Sequence, residues 1–219
     1  GGENTFQQCV SEMALAGFTG SEVGNKYPKD PAVLKPMLQL RGIEICNAWF
    51  STFLISKPYE ETEVEFEKHV AFLAAMGAKV VGVSEQSYST QGIQTQPVFE
   101  GKYEMNDAEW ALLCDGLHRL GKLSLEKYGV ALTFYHHMGT VVQSAAETDR
   151  LMAGTDPAFV SLLFDSGHFA YCGENPTELV ARHAGRIKHV HLKDIRPDVV
   201  ARVREEKLSF LEGVRQGAF

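Results

Sequence analysis

Three short stretches of this chain carry side chains that could do chemistry together. In "HVHLKD", residues 189–194, the two-residue period of a strand puts His189, His191 and Lys193 on one face. A lone histidine there would most simply be a satisfied core residue. Three aligned polar groups in an apolar strand instead suggest imidazole ligands and an ammonium at a site. In "DSGH", Asp165 to His168, a carboxylate closes the apolar run "VSLLF" and a histidine follows three residues later. That pair could supply a metal ligand and a proton-transferring neighbour, although a helix cap beside a surface histidine would look the same. In "LTFYHHMGT", residues 132–140, a strand-like run ends in two histidines. Alternation gives His136 the face of Leu132 and Phe134, and sends His137 the other way. His136, Asp165 and His191 together form a nitrogen and oxygen donor set. It suits Mn, Co, Fe or Zn better than Ca.

Other residues fit around that set. Glu85 ends "VVGVSE" as Asp165 ends its run, and a loop-start carboxylate is the plainer explanation. Glu22 and Lys26, in "GSEVGNK", could contact a polyol, as could any polar turn. Trp49 could floor a sugar pocket or pack in the core. His168, Glu85 and Lys193 are all candidates for the proton-transferring base.

The elements that would position these residues alternate regularly. A helix over 5–16 comes first. Six strands follow, each with a helix after it: one ending near Glu22, then 43–51, 78–85, 130–138, 159–168 and 186–195. "DPAVLKPMLQLRG" and "NPTELVARHAG" open with Asp-Pro and Asn-Pro start signals, and Ser144 with Glu147 forms a capping box. The twenty residues from Gln86 to Met105 form a loop of binding-loop length. Short apolar strands alternating with helices predict an α/β fold with a parallel sheet. No GxGxxG or P-loop opens a helix, which weakens a nucleotide-binding open sheet. Glu22, Asn47, Glu85, His136, Asp165 and His191 lie at the C-terminal ends of six strands, where a (β/α)8 TIM barrel gathers its catalytic groups. A single barrel domain over 1–219 is therefore expected, apparently lacking its first and last strands.

Composition narrows the function classes. Hydrophobic residues make up 44% and charged residues 22%, which is a globular balance. The net charge of -7 and the scattered basic residues argue against a nucleic-acid partner. No apolar run reaches membrane-spanning length, so no membrane partner is expected. The four cysteines are far apart and form no CxxC motif, and the start of the chain lacks signal-peptide features. A reducing cytoplasm is the expected setting. The sequence leaves room for a homo-oligomer.

The blocks "GFTGSEVGNKYPKD", "YHHMGTVVQSAAETDRLM", "LLFDSGHFAYCGENP" and "RIKHVHLKDIRPDVV" resemble the xylose isomerase-like TIM barrels of the sugar phosphate isomerase/epimerase superfamily. Among these, "HHMGT" and "HVHLKDIRP" are similar to the inosose dehydratase branch of myo-inositol catabolism. The resemblance runs nearly end to end. It implies one divalent ion held by Glu, Asp, His and Glu from four strand ends. Asp165 matches the Asp and His191 the His. The first Glu falls at or beside His136, a departure from the pattern, with His137 behind it as a substrate contact. His189 is also expected to touch substrate. The last Glu matches no residue of this sequence. The implied reaction is loss of water from scyllo-inosose, a cyclic polyol ketone, giving a trihydroxycyclohexane-dione. The implied cofactors are Mn2+ or Co2+, with glutathione as a further requirement. A sugar isomerase or epimerase on the same barrel is the alternative. A superfamily DNA-repair endonuclease fits the acidic charge less well, and an inactive or partner-completed fragment is the non-enzymatic reading.

Overall fold

The computed structural model describes residues 3–219. Seven strands appear: β1 (Gly20–Glu22), β2 (Glu44–Asn47), β3 (Trp49–Thr52), β4 (Val80–Glu85), β5 (Ala131–Tyr135), β6 (Val160–Asp165) and β7 (Ile187–His191). Every pairing is parallel, with β1 on β2 and then β3-β4-β5-β6-β7 in sequence order. Neighbours in sequence are thus neighbours in space, the order a barrel wall requires. Among the described residues no ladder joins β7 to β1, so the wall is open there.

β2 and β3 are the two halves of the single strand expected over 43–51. The first half pairs with β1 and the second with β4, and the ladder breaks at the buried Ala48 between them. A register shift between Ser21 and Glu22 brings Glu22 opposite Asn47. This irregularity tips the Glu22 carboxylate toward the middle of the sheet's C-terminal rim.

The covering helices form for local reasons. Asp30 and Asn175 cap the Pro-led helices Pro31–Gln39 and Pro176–His183. The helix Ala145–Gly154 starts on the expected Ser144 and Glu147 box, and Asp107–Tyr128 starts on a second box made by Asn106 and Glu109. A short helix, Ser166–Cys172, begins on Asp165, which acts as the helix cap weighed for it, its Oδ1 accepting the Gly167 and His168 amides. The expected final helix is two, Pro197–Glu205 and Phe210–Arg215. Lys207 at φ +54° and the Ser209 cap separate them.

Phe66, Leu73, Leu113, Leu117 and Leu120 of the helices bury themselves against Val81, Val83, Leu132 and Phe134 of the sheet. That apolar layer lies on the outside of the wall. The long loop after β4 carries no helix or strand. It is tied down by Thr90 N–H to Gly139 O (2.7 Å) and Val98 N–H to Leu208 O (3.0 Å), and by the ion pair of Lys102 with Glu147 (2.5 Å). Gly139 needs its φ of +79°, and a Cβ there would lie 2.8 Å from the Gln91 nitrogen. The "HHMGT" turn and the loop are therefore in close backbone contact.

Candidate metal centre and active site

Paired residues on a parallel sheet share a face. One inner row reads Trp49, Gly82, Thr133 and Ser161, and the next reads Tyr135, Leu163 and His189. Above them, at the rim, sit Asp165 and His191. The outer row is Val83, Phe134, Leu162 and Ile187. On β5 the inner residue is thus Tyr135, His137 continues its face, and His136 turns outward.

The structure places His136 apart from Asp165 and His191, with which it was expected to share an ion. His136 is fully buried behind the sheet, its ring 3.4 Å from that of Phe169. Its Nε2 accepts the Asp165 amide at 3.3 Å. Burial pushes it down to about 3, so it stays neutral. The tight inner face takes Gly, Thr and Ser, while the helix-facing side takes Leu and Phe. Sharing a face with Leu132 and Phe134 therefore marks the outside.

The donors that do converge come from β1 and β7. Glu22 Oε1 lies 2.9 Å from His189 Nε2 and 2.7 Å from His191 Nε2. The three donor atoms lie within 4.8 Å of one another. Asn47 Nδ2 donates to the same Glu22 oxygen at 2.9 Å, and Asn47 Oδ1 is itself fixed by the Gly82 amide at 2.6 Å. Burial opposes a charge on Glu22, but its hydrogen bonds from His189, His191 and Asn47 win and hold its carboxyl well below the usual range. For His191, burial favours the neutral ring. Hydrogen bonds to Asp165 and Glu22 outweigh it and push the imidazole up to about 9. Two imidazoles sharing one carboxylate oxygen make an N,N,O set, and that chemistry fits a borderline divalent cation.

Asp165 is the second carboxylate of the rim. Burial would raise it, yet His191 and Lys193 keep it ionised well below its ordinary value. Its Oδ2 accepts from Tyr135 OH at 2.5 Å and from Lys193 Nζ at 2.6 Å, and Lys193 Nζ also donates to Tyr135 OH at 2.7 Å. In this ion pair Lys193 is a proton donor. Burial and the Asp165 charge push the Tyr135 phenol far above its usual range, so it too keeps its proton.

The three candidates for the base sit in different surroundings. Glu85 is fully buried on the outer face. One oxygen accepts from Thr52 OH (2.8 Å) and the Leu54 amide (2.9 Å), and the other accepts the Ser87 amide (3.1 Å). It therefore braces the turn after β4. His168 is buried too, and its Nδ1 lone pair takes the Met138 amide at 3.3 Å. Burial keeps it neutral, so with Nδ1 accepting, its Nε2 carries the hydrogen. Lys193 is a donor. The free acceptor is His137: its Nδ1 faces the Met138 carbonyl at 2.8 Å and must carry the hydrogen. Its Nε2 then holds a lone pair. Burial pushes His137 down to about 4, which preserves that lone pair.

Aromatic rings wall the site. Tyr135 stands 5.3 Å from Trp49 and 5.0 Å from His191 between centroids, and His137 stands 5.7 Å from Trp49 and 5.2 Å from Phe210. Trp49 is held by its Nε1–H to Ser51 Oγ at 2.8 Å. Trp49 and His189 thus lie at this rim, whereas Lys26 Nζ donates to the Asn4 carbonyl. Asn47, noted among the strand-end polar groups, lines the rim as well, and so does Tyr135, which had not been singled out. Tyr135 could have been found from its two-residue spacing to His137.

The chain matches the family model "xylose isomerase-like TIM barrel" over residues 10–216. It is 58% identical to the inosose dehydratase of Clostridium botulinum (strain Alaska E43 / Type E3), over all of this chain and 73% of that protein. It is 59% identical to the inosose dehydratase of Clostridium perfringens (strain ATCC 13124), again over all of this chain and 73% of the relative. The chain belongs to the inosose dehydratase family of xylose isomerase-like TIM barrels. Its members at this identity bear the name of a hydro-lyase. Among solved structures, the IOLI protein with a binding zinc atom superposes with a TM-score of 0.68 at 18% identity, covering 88% of this chain and 69% of that one. At that identity the likeness establishes the fold.

Proposed function

We propose that this enzyme dehydrates scyllo-inosose to trihydroxycyclohexane-dione in myo-inositol catabolism, in the cytoplasm. The observation that carries the reading is one rim holding three complementary parts. They are the Glu22, His189 and His191 donor set, the lone-pair nitrogen of His137, and the paired proton donors Lys193 and Tyr135. Relatives named inosose dehydratase at 58–59% identity supply the substrate class.

A divalent ion, Mn2+ or Co2+, would be held by residues of the Glu22, His189, His191 and Asp165 corner. When bound it supplies Lewis acidity that polarises the substrate ketone and acidifies the neighbouring C–H. His137 Nε2 takes that proton. Lys193, with Tyr135 beside it, gives a proton to the departing hydroxyl on the next carbon, which leaves as water. The resulting enol ketonises to the dione. Trp49 faces the apolar side of a ring whose hydroxyls lie equatorial, and the half-buried wall limits water around the enol.

The test is incubation of the full-length protein with scyllo-inosose and Mn2+ or Co2+, with and without glutathione, followed by mass spectrometry. The expected product is lighter than the substrate by one water. A product of unchanged mass would identify a sugar isomerase or epimerase instead, and no product under any of these conditions would overturn the proposal.

A further inference from the structure

Two residues of "DSGH" belong neither to the donor set nor to the proton-transferring groups: Ser166 and Gly167. We infer that they clamp Lys193, and that Ser166 is a positioning residue for it. The Ser166 hydroxyl holds the root of Lys193 by both backbone groups and so sets where its ammonium reaches into the rim. The inference rests on the reading of Lys193 as proton donor given above.

The β6–β7 ladder ends at Asp165 opposite His191. Asp165 Oδ1 accepts the Gly167 and His168 amides there and turns the chain into the helix Ser166–Cys172. Lys193 therefore lies past the last rung, and the Ser166 hydroxyl takes the place of the next one. It donates to the Lys193 carbonyl at 2.7 Å and accepts the Lys193 amide at 3.0 Å. One side chain thus satisfies both backbone groups of one residue. The helix does not need this hydroxyl, because Asp165 already caps it. Gly167 lets the two segments meet. A Cβ there would lie 2.5 Å from Lys193 Cβ and 3.0 Å from the Phe219 ring, so the close approach requires glycine.

Holding the root matters because a lysine stem is long and rotatable. The Lys193 side chain is 34% exposed. Its Nζ donates to Asp165 Oδ2 at 2.6 Å and to Tyr135 OH at 2.7 Å, and it lies 5.5 Å from the centroids of the Tyr135 and Phe219 rings. Asp165 thus fixes the tip, Ser166 the backbone and Gly167 the spacing at Cβ. Three consecutive residues hold one lysine at both ends. A proton donor must come within about 3 Å of the atom it protonates, and a shift at the root carries the tip out of that reach.

The experiment uses the full-length, Mn2+-loaded protein with scyllo-inosose. Ser166→Ala should lower kcat by about 10- to 100-fold, the effect of a small misplacement of a reacting group, with KM and Mn2+ content little changed. Ser166→Thr, which keeps the hydroxyl, should restore most of kcat. In a Lys193→Met background, Ser166→Ala should lower kcat no further, because the group it positions is gone. A second readout needs no turnover. Reductive methylation, followed residue by residue by mass spectrometry, should modify Lys193 faster in Ser166→Ala than in the wild type. An unchanged kcat in Ser166→Ala would overturn the clamp, as would an equal loss in the Lys193→Met background or equal methylation rates. Undiminished kcat in Lys193→Met would instead overturn the reading of Lys193 as donor. A wild type without turnover would overturn the proposed function, and the methylation rates would then decide the clamp alone.

Discussion

The ends of β5 and β7 each carry two histidines, and the fold uses them in opposite ways. On β7, His189 and His191 are two residues apart, so both face the rim and share Glu22. On β5, His136 and His137 are adjacent and must part. His136 stacks on Phe169 behind the sheet, while His137 stands among Trp49, Tyr135 and Phe210. Spacing alone therefore tells that the β7 pair acts together. It cannot tell which β5 histidine faces in, because that depends on the phase of the strand, and the phase is set by packing against the helices.

The comparison can be broken most sharply at β7. His191→Ala should abolish stoichiometric Mn2+ binding and reduce turnover to background, since one substitution removes both a donor and the partner of two carboxylates. Metal content by mass spectrometry and product formation check this together. At β5, His137→Gln should lower kcat by about 10²–10⁴-fold, the range for loss of a proton-transferring group. Mn2+ content should be unchanged, and a loss of metal in this variant would mean that His137 is a ligand.

A smaller effect is expected where a residue expected at the site turns out to brace the fold. Glu85→Leu strands the Thr52 hydroxyl and the Leu54 and Ser87 amides, and should cost roughly 2–4 kcal/mol in urea unfolding. Folded protein should keep its metal. The smallest effect belongs to His136. Its folded-state value lies near 3, below the ordinary 6.5, so the folded protein binds fewer protons than the unfolded chain. The stability this contributes is present above about pH 6.5 and is lost as pH falls from there toward 3. In His136→Leu, stability should fall less steeply between pH 6.5 and 4.5, with turnover at pH 7 changed by only a few-fold. Equal pH slopes for wild type and variant would contradict the burial argument.

Much of this was legible in the residues. Capping and start signals such as Ser144 with Glu147, Asp30 with Pro31 and Asn175 with Pro176 are local, and they bounded helices correctly. The parallel order followed from alternation. Three things depended on distant partners. The break at Ala48 arises because β2 and β3 pair with different neighbours. The double use of Asp165, which caps the helix after β6 and also bonds Tyr135 and Lys193, brings in residues about 30 positions away on either side. The convergence of Glu22 with His189 and His191 joins residues some 167 positions apart, and no spacing rule reaches that far. Even so, the types were informative: Glu22, His189, Asp165 and Lys193 all drew notice as polar groups at strand ends.

The central claim is that this rim performs metal-assisted loss of water, and the most direct test compares chelator-treated and Mn2+-reloaded full-length protein on scyllo-inosose. Formation of the dione is followed by its ultraviolet absorbance. The account predicts negligible absorbance change after chelation and full recovery on reloading. Undiminished turnover by protein verified to be metal-free would contradict it.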